Sequence, residues 1–243
     1  MPRPDARADD QLRPVSFTLG VQRGPAGSVM ITQGNTVVLC AATVADKVPG
    51  WLAAKGRGWV TAEYSMLPGS VSDRAPRKQG GRDQEIQRLV GRSLRAAVDL
   101  ERLGERLITI DCDVIQADAG TRVASITAGW IALRLAVDGL LRSGGLKVDP
   151  IIRQVAAVSV AVVDGRAVLD PVYEEDVDAQ VDANFVLSSD GLLIEVQSTA
   201  EGLPFSRAML DTMLDLAGTG TAALFAAQTA ALTIRRPTLR TGE

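Results

Sequence analysis

The stretch D-C-D-V-I-Q-A-D-A-G-T-R, residues 111–122, is where a strand breaks at glycine and a helix begins. Thr109, Ile110, Val114 and Ile115 supply the β-branched content of the strand, and Ile126, Trp130, Ile131, Leu133 and Val137 recur along the helix that follows. A helix N-terminus presents backbone N–H groups without intrahelical acceptors and the positive end of the macrodipole. With Thr121 and Arg122 added, a phosphate-type anion is a fitting ligand. Gly-Thr ahead of a helix also reads as a plain cap, in which the threonine oxygen covers a first-turn N–H. Taken alone, the stretch supports both readings equally.

Upstream of this stretch, residues 27–44 read as two strands turning at Gly34-Asn35, and residues 59–67 as a third strand. Residues 68–81 form a loop rich in proline, serine, glycine and charge. Ile86, Leu89, Val90, Leu94, Ala97, Val98 and Leu103 make one apolar stripe, which predicts a helix over 83–103 with Asp83 in its first turn or as its cap. A strand over 107–116 and a helix over 121–142 follow. Residues 152–163 and 166–169 form a second hairpin, turning at Asp164-Gly165. Residues 182–187 and 192–197 form a third, and a serine-capped helix closes the chain over 206–234. This order predicts an α+β fold of mixed sheets packed with helices, one domain over 1–234 and a polar, frayed tail over 235–243.

Composition narrows the chemistry. The 243 residues are 46% hydrophobic and 23% charged, enough for a sizeable core without staples. Cys40 and Cys112 sit in apolar runs, which predicts two buried thiols rather than a disulfide framework. The polar N-terminus carries no apolar leader, and residues 155–163 are too short to span a bilayer, so a soluble, cytoplasmic protein with no membrane partner is expected. Histidine is absent, which excludes His-based triads and zinc sites. Catalysis must run on carboxylates, arginine, lysine, hydroxyls or a hard metal ion. The net charge of −3 hides an asymmetry. Residues 74–106 hold nine Lys/Arg against five Asp/Glu, and residues 164–182 seven acids against one arginine. Such segments could complete one site for a polyanion and its metal, or remain solvated faces that never meet.

Arg82 and Arg122 each stand at a predicted helix start, and two such termini facing each other would hold one phosphate. Each could instead pair with a local acid such as Glu85 or Asp118. The acidic run over 173–182 is the candidate magnesium site, since Mg²⁺ takes one or two carboxylates plus water and phosphate. Asp176 and Asp182 would lie roughly 20 Å apart in a straight strand and about 600° apart around a helix, so they converge only if the chain turns between them.

Seven motifs then occur in order: R-P-D-A-R with D-D-Q-L-R-P, G-W-V-T-A-E-Y-S-M-L-P, G-R-D-Q-E-I-Q-R-L-V-G-R-S-L-R-A, L-G-E-R, D-C-D-V-I-Q-A-D-A-G-T-R, Y-E-E-D with V-D-A-N, and A-E-G-L-P-F-S-R. In these, from residue 3 to about 230, the chain resembles the ribonuclease PH family of phosphate-dependent RNA 3′-exonucleases. The resemblance implies the ribosomal-protein-S5-domain-2-like α+β fold and a homohexameric ring built as a trimer of dimers. It places Arg82, Gly120, Thr121 and Arg122 on phosphate-binding positions and Asp176 and Asp182 on the catalytic, magnesium-binding pair. Arg74, Arg77 and Lys78 fall in the basic loop that grips the tRNA acceptor stem. The implied activity is phosphorolytic removal of 3′-terminal nucleotides from tRNA precursors, with inorganic phosphate as co-substrate. The alternative is a catalytically weak, ring-forming RNA scaffold of the exosome-core type. The chain departs from the family pattern at Ala6 and Ala119, where glycine is usual, at Ala183, at Ser198-Thr199-Ala200, and in a shorter 68–81 loop with Gly69 in place of an arginine.

Overall fold

The computed structural model of the chain describes residues 2–234. Two sheets flank a central helix. The first comprises β1 (Val15–Leu19), β2 (Gly27–Gln33), β3 (Thr36–Ala45), β4 (Trp59–Met66) and β5 (Leu107–Gln116), in the order β1-β2-β3-β5-β4. The second comprises β6 (Val155–Val163), β7 (Arg166–Leu169), β8 (Val181–Ser188) and β9 (Leu193–Ala200), in the order β7-β6-β8-β9. All pairings are antiparallel except β4 with β5. The helices are α1 (Gly81–Arg95), α2 (Leu100–Leu103), α3 (Thr121–Arg142), α4 (Tyr173–Val177) and α5 (Arg207–Ile234). This is the expected α+β class.

α3 is the axis of the molecule. It packs against β2, β3 and β5 on one side and against β6 of the other sheet, and residues 123–133 are buried without a break. By length and composition it could cross a membrane, a possibility that the short 155–163 run did not suggest; here it is the buried core helix of a layered fold. The main hydrophobic cluster draws on both sheets, from Val29 and Ile110 to Val155 and Val186. Where β2 begins beside α3, a side chain at Gly27 would strike the helix backbone at Ala132 and Ala136. Cys40 and Cys112 face each other across β3 and β5 as free, buried thiols with their sulfurs 3.5 Å apart. Their mutual hydrogen bond and burial push the Cys40 thiol well above its ordinary range, as befits an inert core thiol.

Four details depart from the expected elements. The helix over 83–103 is broken into α1 and α2. Main-chain groups of 97 and 99 are claimed by an extended segment instead: Ile152 N–H donates to Ala97 O at 2.9 Å, and Asp99 N–H donates to Pro150 O at 2.8 Å. Asp99 then caps α2, its side chain accepting from the N–H groups of Glu101 and Arg102. The same contacts delay β6 to Val155. β1, an edge strand, was not anticipated. The acidic run contains the short helix α4. Ser206 does cap α5, accepting the Met209 N–H at 3.1 Å. The tail over 235–243 lies outside the described residues.

Candidate active site

Three strand-to-helix or helix-to-strand connections meet at one end of the layers. β4 leads through residues 67–80 into α1, whose second residue is Arg82. Asp83 is the first-turn acid of α1, and its carboxylate accepts the Gly80 N–H at 2.8 Å. β5 leads through residues 117–120 into α3. Gly120 is the residue before α3 and adopts φ 65°, ψ 16°. The next three N–H groups, of Thr121, Arg122 and Val123, have no intrahelical acceptor by geometry.

The threonine does not cap the helix. Its hydroxyl is bonded to the buried Tyr64 hydroxyl at 2.8 Å, so the first-turn N–H groups remain available to a ligand. Ala119 and Gly120 are consecutive left-handed residues, with φ 55° and 65°. The chain thus uses a conformation suited to glycine at the alanine that departs from the family pattern, and Ala6 does the same at φ 60°. At Gly120 a side chain is disfavoured twice, by the left-handed φ and by a Cβ that would lie 3.2 Å from the Arg13 guanidinium.

The third connection runs from β7 through α4 to β8 and carries Asp176 and Asp182. The expected turn between them exists: α4 ends at Val177, Asp178 follows as its C-cap, and Gln180 N–H bonds Val162 O at 2.8 Å as β8 begins. Arg82, Gly120, Thr121, Arg122, Asp176 and Asp182 all line one cavity of about 370 Å³, with Met66, Ser159, Tyr173 and Asn184 among the other walls. A larger groove of about 900 Å³ between α3 and the end of α5 gathers Arg134, Asp138 and Asp149. Arg134 pairs with both acids there, 2.6 Å from Asp138 and 2.7 Å from Asp149.

Electrostatics in the smaller cavity are asymmetric. Burial and the neighbouring Asp182 carboxylate push the Asp176 pKa up, and Arg122, Arg82 and Arg13 oppose that rise. Burial also raises Asp182; Arg122 works against the rise, Glu201 adds to it, and a hydrogen bond from Asn184 lowers it. Asn184 is held in turn by the Ser159 hydroxyl at 2.9 Å. Two oxygen-donor side chains that repel each other across a pocket also walled by guanidiniums suit a hard divalent cation. Among the described residues no group of three or more His, Cys, Asp or Glu could hold a metal ion, so a metal here would depend on water and phosphate for its remaining ligands.

Of the two local pairings considered for the arginines, one occurs: Arg122 lies 3.6 Å from Glu85. Asp118 instead pairs with Arg13, and Arg82 points a nitrogen at the Met66 sulfur, 3.6 Å away. Arg74, Arg77 and Lys78 are exposed on the 67–80 connection and outside the cavity lining, whereas Val71, Ser72 and Asp73 of the same connection form one of its walls. Tyr64, Ser159 and Asn184 were not foreseen as site residues. The Y-S-M-L-P and V-D-A-N motifs contained two of them, but nothing in their spacing indicates the contacts.

In this layered α+β chain, arginines and a helix N-terminus thus share one cavity with paired carboxylates, and comparison with known proteins shows the family to which that arrangement belongs. Residues 11–137 match the 3′ exoribonuclease family, domain 1, and residues 153–220 match its domain 2. The ribonuclease PH of Caulobacter vibrioides is 55% identical over 235 residues, covering 95% of this chain and 99% of its own. That of Synechococcus elongatus is 54% identical over 233 residues, covering 95% and 98%. Among solved structures, rice Rrp46 superposes with a TM-score of 0.77 at 20% identity, covering 96% of this chain and all of the other. A chain of the Archaeoglobus fulgidus exosome with RNA bound to the active site does so with a TM-score of 0.77 at 20% identity, covering 96% and 93%. The chain belongs to the ribonuclease PH family of 3′ exoribonucleases and has the S5-domain-2-like fold that the resemblance implied.

Proposed function

We propose that the chain is a phosphorolytic 3′-to-5′ exoribonuclease that trims the 3′ ends of tRNA precursors and releases nucleoside 5′-diphosphates. The observation that carries this reading is the convergence of Arg82, the Gly120–Arg122 helix start and the Asp176/Asp182 pair on one cavity. Inorganic phosphate is held by the free N–H groups of α3, the Thr121 hydroxyl and the two guanidiniums. One of its oxygens attacks the terminal phosphodiester in line. A new P–O bond forms as the bond to the 3′-oxygen of the penultimate nucleotide breaks. Arg82 and Arg122 meet the charge that develops on the non-bridging oxygens. Asp176 and Asp182 would hold Mg²⁺, which when bound supplies Lewis-acid stabilisation of that charge. Phosphate is already a nucleophile at neutral pH, so a chain without histidine needs no base to generate one.

Arg74, Arg77 and Lys78, exposed beside the cavity, contact the RNA backbone beyond the terminal nucleotide in this reading. Assembly in this reading is the homohexameric ring that the family resemblance implies. A catalytically weak scaffold is disfavoured by the placement of all six residues in one cavity.

The test is 3′-extended RNA incubated with the protein and Mg²⁺, with and without inorganic phosphate. Diphosphate release only with phosphate is expected; release of monophosphates without it, or no release, overturns the reading. Arg122→Ala is expected to raise the phosphate concentration needed for half-maximal rate by about tenfold or more, the scale of one charge-assisted contact. An unchanged phosphate dependence would remove the cradle from the mechanism.

A further inference from the structure

The N-terminal motifs R-P-D-A-R and D-D-Q-L-R-P supply no group to the chemistry above, yet their arginines run directly beneath the site. Arg3 grips the Glu175 carboxylate through two contacts of 2.8 Å and reaches Asp170 O at 3.1 Å. Arg7 donates to the same carbonyl at 2.8 Å. Arg13 is the most connected. Its backbone N–H and Nε donate to Asp170 Oδ2 at 2.8 and 3.1 Å, and Nη2 donates to Oδ1 at 2.7 Å. Its remaining arm, Nη1, donates to Asp118 O and lies 3.6 Å from the Asp118 carboxylate. Arg13 is 4% exposed and Asp170 is fully buried.

The two partners belong to different halves of the site. Asp118 stands two residues before Gly120, in the phosphate loop. Asp170 opens the connection to α4, six residues before Asp176. Asp118 also accepts the N–H of Tyr173, the first residue of α4, at 3.0 Å. A closed circuit therefore runs from the phosphate loop through Arg13 to the carboxylate connection and back. Both loops contain left-handed non-glycine residues, Ala119 at φ 55° and Asp170 at φ 52°, which persist only where the surroundings over-determine them.

We infer that Arg13, with Asp170 and Asp118, is a positioning strut that sets the separation between the phosphate cradle and the carboxylate pair. A buried ion pair adds little net stability, because desolvation offsets attraction. Its value lies in geometry: in-line attack tolerates little misplacement, and a planar guanidinium engages Asp170 as a fork while a third arm reaches Asp118. Lysine carries the charge but cannot span both. The inference rests on the phosphorolytic reading of the site.

Calorimetric titration of inorganic phosphate into the full chain without divalent metal reads the cradle alone. Arg13→Lys and Asp118→Ala are each expected to weaken phosphate binding about tenfold, the cost of a loop misplaced by a fraction of an ångström; the alanine removes both the carboxylate facing Arg13 and the acceptor of the Tyr173 N–H. The double variant should lose little more than either single one, because both cut the same strut. In the phosphorolysis assay the same variants should also raise the half-saturating Mg²⁺ concentration. A well-folded Arg13→Lys that binds phosphate within about twofold of the parent overturns the strut, since a residue that merely braced the fold would shift melting and not affinity. If Arg13→Lys does not fold, Asp118→Ala, at the more accessible end, decides by the same criterion. A parent chain that binds phosphate but releases no diphosphate overturns the reaction and leaves the strut standing; one that binds no phosphate overturns both.

Discussion

Ala119 gives the sharpest test of the loop geometry. It sits at φ 55° beside the cradle, a left-handed conformation that costs an ordinary residue about 1–2 kcal/mol. Ala119→Gly removes that cost but frees the unfolded chain, which returns about 0.4–1 kcal/mol to the unfolded side. The difference is a net stabilisation of about 0.5–1 kcal/mol, or roughly 1–4 °C in melting temperature for a chain of this size. The loop should keep its shape, because the Thr36 hydroxyl holds the Ala119 and Asp118 carbonyls at 2.7 and 2.9 Å and accepts the Asp118 N–H at 3.0 Å. Thermal melts of the parent and Ala119→Gly supply the comparison, with Ala6→Gly, at φ 60°, as a second site of the same kind. Destabilisation by Ala119→Gly would mean that the residue is not left-handed in solution and that this cradle geometry is not the working one.

Three further expectations follow from buried groups. Tyr64→Phe leaves the Thr121 oxygen without its 2.8 Å partner and should cost about 1–2 kcal/mol in urea unfolding, together with weaker phosphate binding; unchanged values for both would mean the contact is incidental. Burial pushes Asp170 up, but the Arg13 hydrogen bonds and charge outweigh it and hold the carboxyl below its ordinary range. Its stabilisation is therefore present above about pH 4 and lost as pH falls through the folded-state pKa. Asp170→Asn should lower stability at pH 7 by about 3–5 kcal/mol and flatten the acid limb of stability against pH, and a limb identical to the parent's would argue against the pair. Asp182, by contrast, is pushed up, so its ionised form opposes folding above that range. Asp182→Asn should abolish phosphorolysis without lowering the melting temperature, and a drop of several degrees would make the residue structural.

The parts of the fold legible in the sequence were those written in periodicity. The stripe of Ile86, Leu89, Val90 and Leu94 and the glycine-terminated β5 place α1 and α3 where they occur. The break after α1 was not legible, because it depends on main-chain bonds to residues 150 and 152 rather than on any breaker in A-A-V-D-L. At the site, residue chemistry singled out Arg82, Arg122 and the acidic run as candidates, which the fold brings to one cavity, but spacing could not bring Asp176 to Asp182. The five-residue α4 does so, too short to leave a periodic signal. Arg13 and Asp170 are 157 positions apart, and only the folded chain reveals the contact.

α3 holds the cradle at one end and is packed between both sheets along most of its length. The turn proposed to bind phosphate is therefore continuous with a buried core helix, not part of a separately mobile lid. Backbone amides of the first turns beyond the cradle, such as those of Ala124 and Ser125, should exchange with solvent only through global opening. Warming would then extinguish phosphate binding and tertiary structure in a single cooperative step, leaving no temperature at which the scaffold survives with a melted site.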